Sequence, residues 1–428
     1  MNCHIEVYGC QMNVHDGEIL AGILKSAGHT VVNGAEFADA IFIVTCAVRE
    51  HAETRAMGRV THLAGRPGKK PLMVLCGCVA QEHGSKLLKK MKLLDLVVGP
   101  DSYHQIPELL LLQSRRSVTE LGTDTYEQYA AVRKQFPRAF VTVMRGCDNF
   151  CSYCIVPYVR GRERSRPAEL ILQEVRELVE IGYGEITLLG QNVNSYKCDS
   201  VDFPSLLELV SDAAGNCCRI RFVTSHPRDL TQELAAVMAS RSNICNQFHL
   251  PAQSGNDRVL TAMNRGYTRN GYLDKVTLLR ELMPDIVLST DMIAGFPGET
   301  PDEFADSVSL LQEVRFDYAF LFRYSERTGT GALALSPPVP EEERLQRLSV
   351  LQELQTEITL ERSRELLGME KTVLVTGPAR HKGQQASRTT GNRLVILEQT
   401  DFSPGALVQV RITGADGYTH FGAPLKQS

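Results

Sequence analysis

The sequence predicts an α/β protein in three parts: an amino-terminal open parallel α/β sheet, a central partial (β/α)6 barrel, and a small carboxyl-terminal antiparallel β-barrel. Three observations lead there. Over the first hundred residues, short apolar runs rich in Val and Ile alternate with helix-like stretches. Six further strand–helix units follow between Ala139 and Ser325. From Thr372 onward, β-branched runs separated by Gly and Pro turns replace the helical pattern. The 428 residues are 43% hydrophobic and 22% charged, ordinary globular values with room for two or three domains. We place these at 1–115, 133–366 and 367–428.

In the first part His4–Gly9, Ala40–Thr45 and Pro71–Leu75 read as buried parallel strands. Asn13–Ala27 and Val48–Ala64 read as helices, the first capped by Asn13 and stopped by Gly28. Each strand ends on a cysteine, Cys10, Cys46 or Cys78, thirty-six and thirty-two residues apart, about one βαβ unit. Parallel strands bring all three thiols to the carboxyl edge of the sheet, where open α/β sheets bind ligands, so a three-cysteine metal site is expected. The plainer reading is buried cysteines acting as small hydrophobes. Cys76 competes with Cys78, because strand alternation puts both on one face.

Residues 100–138 read as a linker with some helix around PELLLLQ. The barrel units begin at AFVTVMRG, and their active site belongs at the carboxyl ends of the strands. There MRGCDNFCSYC sets Cys147, Cys151 and Cys154 as C-x3-C-x2-C. Three thiolates hold an iron–sulfur cluster and leave one iron open to a small molecule. Structural zinc prefers four ligands at short spacing, and the next Cys or His after Cys154 is Cys198. A redox pair at Cys151 and Cys154 leaves Cys147 unused. After Pro337, Pro338 and Pro340, the residues Leu345, Leu348, Leu351, Leu354 and Ile358 mark an amphipathic helix packing back on the barrel. TVLVTG, RLVILE and ALVQVRITGA then form the small β-barrel.

Net charge is −4, so a nucleic-acid site must be a local patch. Arg160, Arg162, Arg164 and Arg166 surround one acid, Glu163, and seven Lys or Arg oppose four acids after Leu367. The alternate arginines before Pro167 favour extended backbone projecting from one edge, a solvated face or a grip on phosphates. In the tail Lys371, Lys382, Arg388, Arg393 and Arg411 suit RNA backbone. Its few aromatics, Phe402, Tyr418 and Phe421, give little base stacking, so affinity should fall with salt. Twelve cysteines, no signal-peptide pattern in MNCHIEVYGCQMN and no long apolar run imply a cytoplasmic protein with reduced or metal-bound thiols and no membrane partner.

GCQMN (9–13), TCAVRE (45–50), GCVAQ (77–81), RGCDNFCSYCIVPYVRGRERSRP (145–167), LLGQNVNSY (188–196), HLPAQSGNDRVL (249–260) and DMIAGFPGET (291–300) follow one another in order. In these the chain resembles the methylthiotransferases, radical S-adenosylmethionine (SAM) enzymes with an amino-terminal cluster domain and a carboxyl-terminal TRAM domain. The resemblance implies two [4Fe–4S] clusters and SAM. One cluster sits on Cys147, Cys151 and Cys154. An auxiliary one sits on Cys10, Cys46 and Cys78, the G-C-x-A-Q context selecting Cys78 over Cys76. Tyr153, Gly190, Gln191, Asn192, Gln253 and Asp291 lie where SAM or substrate binds, and a structural role fits each as well. No side chain is expected to act as catalytic acid or base; the cluster reduces SAM to methionine and a 5′-deoxyadenosyl radical.

Gln11-Met12-Asn13 and LLGQNVNSY resemble the bacterial branch that methylthiolates N6-isopentenyladenosine at C2, next to the tRNA anticodon. The implied partners are the anticodon stem–loop and an electron donor such as flavodoxin or ferredoxin. Threonylcarbamoyladenosine in tRNA and a ribosomal-protein aspartate are alternative substrates. A non-catalytic iron–sulfur RNA-binding protein is the alternative from another class. Cys3, Cys198, Cys217, Cys218 and Cys245 have no assigned role.

Overall fold

The computed structural model describes residues 1–48, 50–66, 70–112, 114–398 and 400–425. Arg49 of the TCAVRE stretch and Lys426 of the basic tail lie outside them. The amino-terminal sheet has six strands, β1 (Asn2–Tyr8), β2 (Thr30–Val31), β3 (Ala40–Thr45), β4 (Leu72–Gly77), β5 (Leu96–Val98) and β6 (Arg116–Val118). All pair in parallel, in the order β2-β1-β3-β4-β5-β6. α1 (Gln11–Ser26) covers one face, α2 (Glu50–Ala64) and α3 (Cys78–Lys90) the other, and α4 (Ile106–Leu112) joins α1. Burial on both faces explains the continuous apolar runs of β3 and β4.

Three expectations change here. β6 pairs with β5 beyond residue 115, so the supposed linker carries a sixth strand; strands of two or three residues leave no periodicity to read. α1 starts at Gln11 with Cys10 as its N-cap residue, and Asn13 is buried inside it. Cys76 and Cys78 do not share a face. Gly77 takes φ +92° and ends the alternation, leaving Cys76 in the core beneath α1 while Cys78 opens α3 among its packing residues.

The central domain starts with β7 (Arg138–Thr142). A loop follows, closed by the antiparallel pair β8 (Met144–Arg145) and β9 (Arg164–Ser165) around α5 (Val156–Arg160). Next come α6 (Ala168–Glu180), β10 (Glu185–Leu189), a hairpin of β11 (Lys197–Cys198) and β12 (Val201–Asp202), α7 (Phe203–Ala214), β13 (Arg219–Phe222) and α8 (Gln232–Ser240). β14 (Gln247–His249), α9 (Asp257–Ala262), α10 (Arg269–Leu282), β15 (Val287–Ala294), α11 (Pro301–Val314), β16 (Tyr318–Arg323) and α12 (Glu341–Arg364) complete it. β7-β10-β13 and β14-β15-β16 are parallel triplets. Ile220 N donates to Asn243 O and Cys245 N to Ile220 O, both at 2.8 Å, joining the triplets into an open six-stranded wall. On α12, Leu351 and Ile358 are buried as expected, but Leu345 is exposed. Arg344 and Arg347 occupy that part of the inner face, Arg347 ion-pairing with buried Glu299 at 2.7 Å.

The last 55 or so residues close into a barrel of β17 (Glu370–Pro378), β18 (Gln384–Thr389), β19 (Leu394–Glu398), β20 (Leu407–Asp416) and β21 (Thr419–Pro424). One pair, β19 with β21, is parallel rather than antiparallel, because a ring of five strands cannot alternate direction all the way round. Val373, Val375, Val395, Leu397, Val410 and Ile412 fill its interior.

This barrel docks against the amino-terminal ends of the central strands. Arg219 donates to Thr372 O (2.9 Å) and Arg388 O (3.0 Å), Arg221 donates to Thr390 O (2.9 Å), and Arg393 pairs with buried Asp317 just before β16. The eight residues of β15 separate that seam from the carboxyl ends by about 26 Å. Among the described residues no helix is long and apolar enough to cross a membrane.

Candidate active site with two cysteine centres

The strand order of the amino-terminal sheet reverses between β1 and β3, the switch point where such sheets form a crevice. Cys10 follows β1, Cys46 follows β3 and Cys78 follows β4, so all three reach that crevice. Two glycines make the approach possible. A Cβ on Gly9 would stand 2.3 Å from Cys46 Cβ, and one on Gly77 would stand 2.5 Å from Thr45 O. Gly9→Ala therefore pushes Cys46 out of place and should lower bound iron by about half, if each centre holds one cluster; iron analysis of the anaerobically reconstituted variant checks this.

A hydrogen bond from Cys46, helped by the Arg160 charge, draws the Cys10 thiol down to about 6 and pushes Cys46 up. Burial raises Cys78, with Arg160 pulling the other way. Arg160 Nε donates to Cys78 Sγ at 3.1 Å, and its Nη2 donates to Asn13 Oδ1 at 3.2 Å. Asn13 Oδ1 also accepts from Cys10 Sγ at 3.4 Å. Asp16, fully buried, holds Arg160 at 2.6 Å and Arg145 at 3.0 Å. Burial alone would raise the Asp16 carboxyl, but the two guanidinium groups outweigh it and hold it low.

At the carboxyl end of β7, Gly146 takes φ +80°, and a Cβ there would fall 1.9 Å from Arg162 O. Gly146 N donates to Gln191 Oε1 at 2.5 Å and Cys147 N to Gly161 O at 3.2 Å. Ser152 is tied to Met263 O and Ala262 O, and Asn264 donates to Asn149 O and Phe150 O. These bonds shape one loop carrying Cys147, Cys151 and Cys154. Arg265, buried, donates to Cys151 Sγ and to Tyr153 Oη, both at 3.3 Å. Burial pushes the Cys147 thiol up to about 11 and Cys154 to about 12, so both stay protonated until a metal displaces the proton.

The donor sets suit iron–sulfur clusters: three thiols each, all free of disulfides, with a buried guanidinium against one sulfur to balance thiolate charge. Among the described residues no three His, Cys, Asp or Glu side chains close around a single ion; a cuboidal cluster does not require that, since each thiolate takes a different iron. Cys3, Cys76, Cys218 and Cys245 are buried and their thiols raised by burial, the behaviour of inert core cysteines.

The other expected contacts divide. Tyr153 packs against the cluster of Val259, Met263 and Phe296 next to the cysteine loop, as Ile293 does. Gly190 is needed for space, a Cβ meeting Met144 Cγ at 2.5 Å, and Gln191 braces Gly146. Asn192, buried, donates to Asp229 at 2.6 Å, and its Oδ1 has no partner among the described residues. Gln253 serves through its backbone, bonded to Asp291 O and Ile293 N. Asp291 stands 3.4 Å from His249 Nε2.

Leu288, Met292 and Ala294 pack on the helix side, so the alternate residues Ser289, Asp291 and Ile293 face the lumen. Register places Tyr318, Phe320 and Phe322 beside them. Phe320 and Phe322 are 45% and 41% exposed, an apolar wall open to the interior.

The arginine row is not an exposed edge. Helix α5 ends at Arg160 and Gly161 turns the chain, so the expected extended backbone is found only in β9, at Arg164–Ser165. Arg160 is buried in the first cysteine centre, and Arg166 is buried against Glu174 (2.9 Å) and Thr142 O (2.6 Å). Arg164 ties the loop to Asp101 at 3.0 Å; only Arg162 projects. In the barrel Arg393 is held by Asp317, and Arg388 bonds Asn392 in its own hairpin. Lys371 lines the docking seam, whereas Lys382 is exposed with Arg380 and His381 at the far turn.

Sequence reasoning missed Asp16, Arg145 and Arg265, and also Glu163, which burial raises to about 7 while Ser195 Oγ donates to it at 2.8 Å. For Asp16 a signal existed: α1 carries Asn13, His15, Asp16 and Glu18 in a stretch too polar for an ordinary buried helix.

Residues 141–311 match the Radical SAM superfamily, and residues 2–99 match the Uncharacterized protein family UPF0004. The fold is shared with the radical S-adenosylmethionine methyltransferase TsrM from Kitasatospora setae, at a TM-score of 0.57 and 13% identity over 90% of this chain and 77% of that one. It is shared also with the cobalamin-dependent S-adenosylmethionine radical enzyme OxsB, at 0.53 and 10% identity over 82% and 56%. Fold and site thus define a radical SAM enzyme. In sequence the chain is 42% identical to the tRNA-2-methylthio-N(6)-dimethylallyladenosine synthase of Parabacteroides distasonis over 99% of this chain and 95% of the relative. It is 43% identical to that of Caldicellulosiruptor saccharolyticus over 98% and 91%. The chain belongs to the tRNA-2-methylthio-N(6)-dimethylallyladenosine synthase family.

Proposed function

We propose that this protein converts N6-isopentenyladenosine next to the tRNA anticodon into its 2-methylthio derivative, by hydrogen removal at C2, sulfur insertion and methyl transfer. The observation that carries the reading is the joining of the two cysteine centres by one short helix. α5 starts two residues after Cys154 and ends at Arg160, whose guanidinium rests on Cys78. Its five residues rise about 7.5 Å, so α5 runs directly from the loop of one centre to a sulfur of the other.

When bound, SAM and a cluster with one open iron supply a one-electron route to breaking the C2–H bond, which no side chain is basic enough to ionise at neutral pH. Cys147, Cys151 and Cys154 hold that cluster, and Cys10, Cys46 and Cys78 hold the auxiliary one. Tyr153, Asn192 and Asp291 are the contacts toward SAM or substrate, while Gly190, Gln191 and Gln253 shape the loops around them. Phe320, Phe322 and Ile293 form an apolar wall suited to an isopentenyl group. The Asp291 carboxylate on the same wall disfavours the carboxylate of a threonylcarbamoyl group by like-charge repulsion.

Offered anticodon stem–loops carrying one modification or the other, the reconstituted enzyme should yield methylthio product from the isopentenyl substrate. Nucleoside mass spectrometry reads the result, and product from the threonylcarbamoyl substrate alone would refute the choice. Arg162 beside the cysteine loop and Lys382 at the barrel turn are the proposed phosphate contacts, with the RNA spanning both. Each of Arg162→Ala and Lys382→Ala should reduce the slope of log affinity against log salt by about 0.7–0.9, measured by tRNA binding across a salt series. A flavodoxin- or ferredoxin-type protein is the proposed electron source.

A further inference from the structure

Each cysteine centre carries one buried guanidinium on one sulfur: Arg160 Nε at 3.1 Å from Cys78 Sγ, and Arg265 Nη1 at 3.3 Å from Cys151 Sγ. Their surroundings differ. Arg160 shares the fully buried Asp16 with Arg145, two residues before Cys147, so two cations and one anion lie between the centres. Among the described residues no carboxylate bonds Arg265; it donates to Tyr153 Oη, Tyr267 Oη and Pro251 O. Guanidinium groups stay charged at any pH of interest, and burial leaves their fields poorly screened. Hydrogen bonds to the sulfurs and the net local charge are two of the levers that set a cluster's reduction potential.

We propose that Arg160 and Arg265 are positioning residues that separately raise the reduction potentials of the auxiliary and SAM-binding clusters, and that Asp16 offsets the effect at the auxiliary one. Reduction adds a negative charge to the cluster, and a fixed cation 3 Å or so from a ligand sulfur stabilises the reduced form more than the oxidised one. The proposal rests on the assignment of the six cysteines to two clusters.

The test uses the full chain with both clusters loaded, iron and sulfide counted first, and each cluster's midpoint followed by redox titration with electron paramagnetic resonance. Chains lacking Cys10, Cys46 and Cys78, or lacking Cys147, Cys151 and Cys154, supply the reference spectrum of each cluster. Arg160→Gln should move only the auxiliary midpoint to more negative potential, and Arg265→Gln only that of the SAM-binding cluster. The Lys variants, which keep the charge, should lie between parent and Gln. Asp16→Asn removes the anion and should move the auxiliary midpoint the opposite way, and it decides the matter if Arg160→Gln fails to load. Loaded variants with unmoved midpoints, or both midpoints moving together, would overturn the proposal. A parent chain that binds no second cluster would instead overturn the ligand assignment.

Discussion

Replacing Cys10 by alanine in the loaded enzyme should leave SAM cleavage to 5′-deoxyadenosine running and stop the methylthio product, whereas Cys151→Ala should stop both. The two residues belong to centres built on different domains, one at the switch point of the amino-terminal sheet and one on the loop after β7. Losing one thiolate therefore removes one cluster and spares the other. Outer-shell partners of metal sites already contribute about 10–100-fold, and loss of a ligand should exceed that. Chromatography of 5′-deoxyadenosine and mass spectrometry of the tRNA nucleosides, run on the same reaction, separate the two effects. Full sulfur insertion by Cys10→Ala would show that this centre is not the sulfur site.

Arg221→Ala should destabilise the chain by about 3–5 kcal/mol, the cost of leaving a buried ion pair half-made. Arg221 and Glu185 are both almost fully buried and meet at 3.0 Å, and Arg221 also donates to Thr390 O across the barrel seam. Burial raises the Glu185 carboxyl, but Arg221 outweighs it and the net shift is downward. In the parent this stabilisation is present above the unfolded value of about 4.3 and is lost as pH falls below it. In the variant burial is opposed only by the lesser charges of Arg138 and Arg219, so Glu185 takes up a proton more readily and the difference from parent narrows on acidification. Urea unfolding at neutral and mildly acidic pH measures both quantities. Replacing Arg221 and Glu185 together by Leu should recover most of the loss, since no unpaired charge remains.

The fold was legible because long buried strands leave long apolar runs, and the placing of Cys10, Cys46 and Cys78 after β1, β3 and β4 was legible because the strand–helix units repeat at nearly even spacing. β3, β4, β10 and β15 announced themselves; β2, β5 and β6 did not, being two or three residues long. Spacing placed Cys10 and Cys46, yet it could not separate Cys76 from Cys78, because the separation depends on the φ of Gly77. The arginines were misjudged for one physical reason. A charged residue is ordinarily exposed, and only the fold brings Asp16 to Arg160, Glu174 to Arg166 and Asp317 to Arg393. Arg162, Arg411 and Lys382 of the β17–β18 turn are exposed, and none is distinguishable by sequence from its buried neighbours.

The account turns on two separate iron–sulfur clusters, each held by only three thiolates of this chain. Iron and acid-labile sulfide counted per chain after anaerobic purification and reconstitution test it most directly. About eight of each, falling to about four when Cys10, Cys46 and Cys78 are replaced together, is the predicted result. Bound zinc in place of iron, or about four of each with no loss on replacing those three cysteines, would contradict it.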